Sequence, residues 1–184
     1  MIVSLKDIVK ECAKGNSKAQ RNLFELYYRP MFNVCIRYVK DQVEAEDLVS
    51  QGFIKVFNAL NRFHYEHENG LSGWVRRIMV NECLMFLRKR SNFHLVPLDE
   101  ALDVGEVDFN LEQIDSHYIL KSIAELPVGY RTVLNLFIIE GYSHAEIAAF
   151  LAIKEATSRS QLAKAKVLLK NKLLSYKLMG YGER

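Results

Sequence analysis

The chain has 184 residues, of which 49% are hydrophobic, so it is long enough and apolar enough for one ordinary folded domain or two small ones. Its net charge of +3 is too small to indicate nucleic-acid binding by itself, so the arrangement of charge must decide. No stretch approaches the ~20 apolar residues that span a bilayer, and the N-terminus lacks a basic segment followed by a long apolar run. We therefore expect a cytoplasmic protein with no membrane insertion.

Apolar residues recur at three- and four-residue spacing, and only three prolines interrupt the chain, which predicts an all-α fold without a sheet. The predicted helices are Leu5–Ala13, Ser17–Val39, Val43–Leu60, Ser72–Arg90, Leu111–Glu125, Tyr130–Glu140, His144–Leu151 and Glu155–Tyr176. Two helix starts have capping-box spacing, namely Asp41 with Glu44 and Ser143 with Glu146. The cysteines Cys12, Cys35 and Cys83 are odd in number and lie in helical patterns, so we expect reduced core residues.

The helix predicted from Val43 has one side that can be buried, formed by Ala45, Val49, Val56 and Leu60. The opposite side carries Asp47, Gln51, Ile54 and Asn58. An apolar Ile54 among polar neighbours on an outward face suggests a docking surface. An ordinary solvated face with one stray apolar residue is the alternative.

On the next helix, Trp74, Ile78 and Met85 share a stripe with the polar Asn81. Asn81 either satisfies a backbone group in the core or serves in binding. The residues from Arg76 to Arg90 carry a local charge of +4, and the preceding loop, 61–70, contains Phe63 and Tyr65.

The same loop has a rival interpretation as a metal site. His64, His67 and Glu68 offer imidazole and carboxylate ligands, but no second ligand cluster accompanies them, and a closed zinc site needs four. The sequence also lacks a nucleophile with a matching His and acid, and a Gly-rich phosphate loop. We expect no metal, no cofactor and no enzymatic activity.

A composition break follows. Between Arg90 and Lys121 there is no Lys or Arg, whereas seven acidic residues occur there. We predict two small helical domains, 1–92 and 111–184, joined by an acidic linker at 93–110. A simple solvated tether is the plain interpretation of that linker. The stretch from Lys154 to Lys172 carries a charge of +5. Basic helices therefore lie on both sides of the acidic linker, which favours a polyanionic partner.

The C-terminal part has helix-turn-helix form. Gly141 can end one helix in a left-handed conformation and Ser143 can start the next. On the last helix, Leu162, Ala165, Leu169 and Leu173 should pack inward. The predicted DNA-reading residues are Arg159, Ser160, Gln161 and Lys164. A solvated basic face on an ordinary helical hairpin is the alternative.

Three motifs follow one another along the chain, namely Asp41 to Phe57, the runs 74–81 and 87–90, and Leu126-Pro127 with the runs 140–143 and 146–148. Together they resemble the extracytoplasmic-function (ECF) sigma factors of the sigma-70 family. The run from Asp41 to Phe57 is similar to the family's D-x-E-D-L-V-Q-x-x-F helix, and the runs 74–81 and 87–90 are similar to its promoter-melting helix. Leu126-Pro127, the 140–143 run and the 146–148 run are similar to its region-four domain. The resemblance implies sigma region 2 in the first domain and region 4 in the second, with core RNA polymerase, promoter DNA and an anti-sigma protein as partners.

The resemblance also assigns roles to residues. Polymerase binding would fall to Asp47, Leu48, Gln51 and Ile54. Recognition of the melted minus-ten strand would fall to Phe63, Trp74, Arg76, Arg77, Asn81 and Arg88, and minus-thirty-five recognition to the last helix. Met85 stands where the family commonly has Asp, and Ala156-Thr157-Ser158-Arg159-Ser160-Gln161 stands where it has G-T-V-x-S-R. These departures concern DNA specificity.

Two other functions remain open from the residues alone. An autonomous helix-turn-helix regulator would bind duplex DNA without polymerase. A helical protein-binding module, such as a sigma-like decoy, would need the Asp47 face and not the basic residues of the last helix.

Overall fold

The structure is a computed structural model that describes residues 4–90 and 116–178. These residues form helices and turns without a β-strand, which confirms the predicted all-α fold. The helices are α1 Leu5–Ala13, α2 Ser17–Val39, α3 Gln42–Ala59, α4 Glu68–Lys89, α5 Ser116–Ala124, α6 Val128–Leu134, α7 His144–Leu151 and α8 Glu155–Leu178. A 3-10 turn, Leu60–Arg62, follows α3, and a π-helical segment, Asn135–Ile139, follows α6.

The chain separates into two compact units, Met1–Leu87 and Arg88–Arg184. The predicted linker at 93–110 and the start of the helix predicted from Leu111 lie outside the described residues. Each helix within the described ranges is too short or too polar to cross a membrane.

Side-chain caps explain why several helices begin where the sequence predicts. The Ser4 hydroxyl accepts a hydrogen bond from the Asp7 amide at 3.2 Å, and the Asn16 side chain accepts one from the Lys18 amide at 3.0 Å. These bonds satisfy amides that the first turn of a helix leaves free. The predicted bounds of α1, α2 and α7 are confirmed at both ends.

The α3 helix begins one residue earlier than predicted, and two other helices begin two or more residues earlier. In both of those the residue before the helix is not a standard cap. The α4 helix starts at Glu68 rather than Ser72, since Nδ1 of His67 accepts a hydrogen bond from the Gly70 amide at 3.0 Å. The α6 helix starts at Val128 rather than Tyr130, and Pro127 occupies its N-cap position with an extended backbone and no side-chain hydrogen bond.

The first unit buries one side of each of its four α-helices. From α3 the core contains Ala45, Val49 and Val56, each 0% exposed, as the apolar stripe predicts. The α4 side of the core contains Leu71, Val75, Met79, Val80, Cys83, Leu84 and Leu87. The α2 side contains Leu23, Tyr27, Met31, Val34, Cys35 and Tyr38.

The three cysteines are buried, which confirms their assignment as core residues. Burial raises the pKa of Cys12 to about 11, so its thiol stays protonated. The thiols of Cys35 on α2 and Cys83 on α4 are hydrogen-bonded to each other, and that bond, together with burial, raises the pKa of Cys83 well above its usual value. Protonated, buried thiols behave as small apolar residues.

An ion pair joins α3 to α4 beside this core. The ammonium of Lys55 lies 2.5 Å from Oε1 of Glu82, whose side chain is only 7% exposed, whereas that of Lys55 is 49% exposed. A buried carboxylate is costly unless a cation or hydrogen-bond donor compensates it. Lys55 therefore allows an acidic residue to occupy the contact between the two helices.

The second unit packs α5, α6 and α7 against α8. Its core contains Ile123, Leu126, Tyr130, Val133, Leu134, Leu136, Ile147, Leu151, Leu162, Ala165, Leu169 and Leu173. Within it, the guanidinium of Arg131, 4% exposed, donates to the carbonyl oxygens of Leu126 at 2.9 Å and Ala124 at 3.3 Å. Arg131 thus satisfies carbonyls that the end of α5 leaves unbonded, and burial lowers its pKa to about 10.

Replacing Lys55 by methionine should lower the unfolding free energy of the first unit by about 2 kcal/mol, because Glu82 would stay buried without its cation. The double variant Lys55→Met, Glu82→Leu should recover most of that loss, since no charge remains to be desolvated. Urea unfolding followed by tryptophan fluorescence measures this, because the only tryptophan, Trp74, lies in the first unit.

The matched control is Arg21→Met, which removes the exposed ion pair between Arg21 and Glu25 on α2. It should change the unfolding free energy by less than about 0.5 kcal/mol. A double variant that is as unstable as Lys55→Met would show that the carboxylate is not the source of the loss.

Candidate functional site

The outward face of α4 combines aromatic, amide and basic side chains. Asn81 and Met85 are exposed, and Trp74 and Ile78 are half-buried, while the opposite side of the helix forms the core. Asn81 therefore does not satisfy a backbone group inside the core, which removes one of its two interpretations. Of the predicted basic residues, Arg77 and Arg88 are exposed and Arg76 is half-buried.

The loop before α4 contributes an aromatic ring to this face. The ring of Phe63 stacks on that of Trp74, with centroids 4.5 Å apart and an interplanar angle of 28°. Both rings are half-buried, so part of the stacked pair remains accessible. An accessible aromatic surface beside basic residues has the chemistry that holds an unstacked base.

The histidines of this loop do not converge on a metal. His67 uses its Nδ1 atom to cap α4, and the side chain of His64 is exposed. Within 4–90 and 116–178, no group of three or more His, Cys, Asp and Glu side chains is placed to hold a metal ion.

A second outward face lies on α3. Asp47, Gln51 and Asn58 are exposed, and Ile54 is 60% exposed, as predicted. The structure places Leu48 in the core and not on this outward face, since it is only 3% exposed. Successive side chains of an α-helix point 100° apart around its axis, so Leu48 faces inward where Asp47 faces outward.

The exposed Val43 was missed by the sequence prediction. It is 67% exposed and lies 11 residues before Ile54, which is close to three helical turns, so both apolar side chains lie on one side of α3. The 11-residue spacing between Val43 and Ile54 is the sequence signal that could have identified Val43 as part of this face.

The helix-turn-helix in the second unit is held by the predicted turn residues. Gly141 has φ +76°, a left-handed conformation that favours glycine. The Ser143 amide donates to Oε2 of Glu146 at 2.8 Å, and the Glu146 amide donates to the Ser143 hydroxyl at 3.3 Å. This reciprocal capping box is the one predicted from the sequence.

The outward face of α8 differs from the predicted one at one residue. Arg159 is exposed, and Ser160 and Lys164 are half-buried. Gln161 is only 2% exposed, because it lies on the inward side one turn after Ser158 and one turn before Ala165. The prediction that Gln161 belongs to the outward face is therefore wrong, because its side chain is buried and does not face solvent.

Two lysines extend the basic side of α8 and were not among the predicted site residues. Lys166 and Lys170 lie 7 and 11 residues after Arg159, so the three cations share one side of the helix. Oε1 of Glu155 accepts a hydrogen bond from Arg159 at 2.5 Å.

Histidine 144 connects the two helices of the motif. Its Nδ1 atom lies 2.9 Å from the hydroxyl oxygen of Ser158, and its ring stacks on that of Phe137 with centroids 4.4 Å apart. Burial lowers the pKa of His144, and the positive charges of Arg159 and Lys166 lower it further against the opposing effect of Glu155.

Comparison with known proteins finds similarity across both units. The family described as Sigma-70 region 2 matches residues 23–93, and that described as Sigma-70, region 4 matches residues 116–169. The chain is 26% identical over 162 residues to the ECF RNA polymerase sigma factor SigM of Mycobacterium tuberculosis, covering 88% of this chain and 80% of that protein. It is 24% identical over 186 residues to the ECF RNA polymerase sigma factor SigW of Bacillus subtilis, covering 94% and 98%.

A solved structure shares the fold. It is that of the sigma factor RpoE of Bartonella quintana in complex with the anti-sigma factor NepR, with a TM-score of 0.50 and 21% identity. The match covers 83% of this chain and 95% of that one.

The lowered pKa of His144 predicts a direction for the pH dependence of stability. As the pH falls below about 6.5, the unfolded chain binds a proton at this residue before the folded chain does, so the fold loses stability in that range and is unaffected above it. An NMR titration should give His144 a pKa below that of a free imidazole, with its resonance assigned by loss in His144→Phe. A pKa above the usual value would contradict the assignment.

Proposed function

Because the chain belongs to the ECF sigma factors of the sigma-70 family, we propose that it binds core RNA polymerase and directs promoter-specific initiation of transcription. The observation that carries the proposal is the outward face of α4, where a stacked Phe63–Trp74 pair lies beside exposed Asn81 and exposed arginines. Sigma-70 family members are initiation factors, so the chemistry of RNA synthesis belongs to the polymerase.

Docking on core polymerase is proposed for the outward face of α3. Asp47 and Gln51 supply polar contacts, and Ile54 and Val43 supply apolar area that is otherwise exposed to water. Apolar side chains bordered by polar ones are typical of protein interfaces. By family resemblance, the partner is the pair of clamp helices of the largest polymerase subunit.

Capture of melted minus-ten DNA is proposed for α4 and the loop before it. Extruding a base costs a few kcal/mol, and stacking on an aromatic surface returns about 1–3 kcal/mol per base. Phe63 and Trp74 supply that surface, and Asn81 is exposed for hydrogen bonding to a base edge. Arg76, Arg77 and Arg88 then attract the backbone of the displaced strand.

Recognition of the minus-thirty-five duplex is proposed for α8. Arg159 is the exposed residue that can bind a guanine edge with two hydrogen bonds, and Ser160 lies next to it. Lys164, Lys166 and Lys170 would hold phosphates and add sequence-independent affinity. With Gln161 buried, the arginine contact of the family pattern at that position is absent from the proposed surface.

The proposal extends to the parts of the chain that join and regulate these surfaces. Residues 1–92 would form region 2 and residues 111–184 region 4, with 93–110 as the acidic tether between them. Since it acts with RNA polymerase, the protein would work in the cytoplasm. An anti-sigma protein is a further proposed partner, in line with the complex of the Bartonella quintana sigma factor with its anti-sigma factor.

Run-off transcription with purified core enzyme tests the proposal. Promoters selected from genomic fragments should give transcripts with defined start sites only when the protein is added. Failure to confer promoter-dependent initiation, combined with tight duplex binding by the free protein, would favour an autonomous regulator instead.

The docking face predicts that Ile54→Asp weakens binding to core polymerase at least tenfold, because a charge would replace buried apolar contact. Leu26→Asp is the matched control, since Leu26 on α2 is 52% exposed and lies outside the α3 face. Fluorescence anisotropy with labelled sigma measures both. Equal losses for the two variants would argue against α3 as the docking face.

The two DNA surfaces predict opposite effects of two substitutions in the holoenzyme. Phe63→Ala should weaken binding to a single-stranded minus-ten oligonucleotide about tenfold, because it removes a stacking surface. It should leave binding to a minus-thirty-five duplex unchanged. Arg159→Ala should weaken binding to the minus-thirty-five duplex and leave binding to the minus-ten oligonucleotide unchanged.

Phe32→Ala is the control for this experiment, because it removes a half-buried aromatic ring of α2 that stacks on Tyr28. It should affect neither oligonucleotide by more than about twofold. If Phe63→Ala weakened both equally, the loop would have a structural role and not a role in strand capture.

A further inference from the structure

The hydrogen bond between His144 and Ser158 lies where the two helices of the DNA-binding motif meet. His144 is the first residue of α7, and Ser158 is in the first turns of α8 with 0% exposure. The bond length of 2.9 Å is that of a well-formed hydrogen bond. The hydrogen bond therefore joins the start of α8, which carries the proposed DNA-reading residues, to the start of α7.

The imidazole is also held on its other side. Its ring stacks on Phe137 at an interplanar angle of 22°, and Phe137 belongs to the π-helical segment before the turn. A single side chain thus contacts three elements: the π-helical segment, α7 and α8. Because burial and nearby cations lower its pKa, the imidazole is neutral near pH 7 and does not repel Arg159.

Ser158 is a departure from the pattern that this motif resembles. In G-T-V-x-S-R the position of Ser158 holds valine, whose contact with a neighbouring helix would be apolar. Apolar contact has no preferred direction, whereas a hydrogen bond weakens steeply when its angle or length changes. The serine therefore restricts rotation of α8 about its own axis more than a valine would.

Small rotations matter at this position because Arg159 and Ser160 follow directly. At a radius of about 5–6 Å, a rotation of about 20° moves a side chain at the helix surface by about 2 Å. The donor–acceptor distances of good hydrogen bonds span only about 0.5 Å. A rotation of this size decides whether Arg159 meets a base edge or a phosphate.

We propose that His144 and Ser158 are positioning residues for promoter specificity, which fix the rotation of α8 in the minus-thirty-five major groove. The inference rests on the proposed sigma-factor function. Its consequence is that base selection by Arg159 and Ser160 depends on a hydrogen bond between a half-buried histidine and a buried serine, neither of which is among the proposed DNA-reading residues. With Gln161 turned inward, fewer side chains read bases, so the placement of those that remain carries more of the specificity.

Three variants separate positioning from stability. Ser158→Val and His144→Phe each remove the hydrogen bond, the second while keeping an aromatic ring against Phe137. Each leaves one polar partner behind, half-buried in the case of His144 and buried in the case of Ser158, so each should lower thermal stability. The double variant His144→Phe, Ser158→Val leaves neither group and should regain much of that stability.

Promoter selection by holoenzyme from a library with a randomised minus-thirty-five element gives the specificity readout. Wild type should enrich its preferred sequences, and both single variants should reduce the ratio of best to worst sequences about tenfold. The double variant should regain stability but not this preference. Thr132→Val, which replaces a buried hydroxyl of α6 by a methyl group and leaves His144 and Ser158 in place, should keep the wild-type preference.

The outcomes distinguish the inference from the function on which it rests. If wild-type holoenzyme initiates selectively and Ser158→Val keeps the same sequence preference, the positioning role is wrong while the function stands. Recovery of both stability and preference in the double variant would likewise reduce the pair to a structural role. If wild type gives no promoter-dependent transcript, the proposed function fails and the inference fails with it.

Discussion

The requirement that every helix bury one side decides which residues remain available for binding. At 3.6 residues per turn, burial of Val49 and Val56 leaves Ile54 exposed on α3. In the same way, burial of Val75 and Met79 turns Asn81 outward on α4. The core and the proposed binding faces are therefore two sides of the same helices, and a change of register in one would displace the other.

Apolar burial alone does not determine how the helices are rotated against each other, because apolar contacts have no preferred direction. Three buried or partly buried polar contacts add that direction: Lys55 with Glu82, Arg131 with the carbonyls near the end of α5, and His144 with Ser158. Each polar group must keep its partner to avoid the cost of an unsatisfied buried group. In this protein, two of the three contacts lie on helices that carry a proposed binding face.

Most of the fold was predictable because its helices have strong local signals. The start of α7 was predicted correctly because Ser143 and Glu146 form a capping box, whereas the start of α4 was missed because a histidine cap has no such signature. The π-helical segment Asn135–Ile139 was also missed, since it depends on packing and not on spacing. Gln161 was misplaced because a stripe drawn from apolar residues does not resolve positions at its edge. Leu48 was assigned from the family resemblance, and a sequence motif does not separate its core residues from its exposed ones.

The charge of the chain argues that no single surface is sufficient for the proposed function. The net charge is +3, and on α8 Glu155 already holds the Arg159 guanidinium at 2.5 Å. Each neutralised phosphate adds affinity that salt readily weakens, so a few cations on one helix hold duplex DNA only loosely. Linking a second, single-strand surface on the same chain raises the effective concentration of each at the promoter without any new contact. For the proposed function, promoter choice would then draw on both elements together, because each surface raises the effective concentration of the other at the promoter.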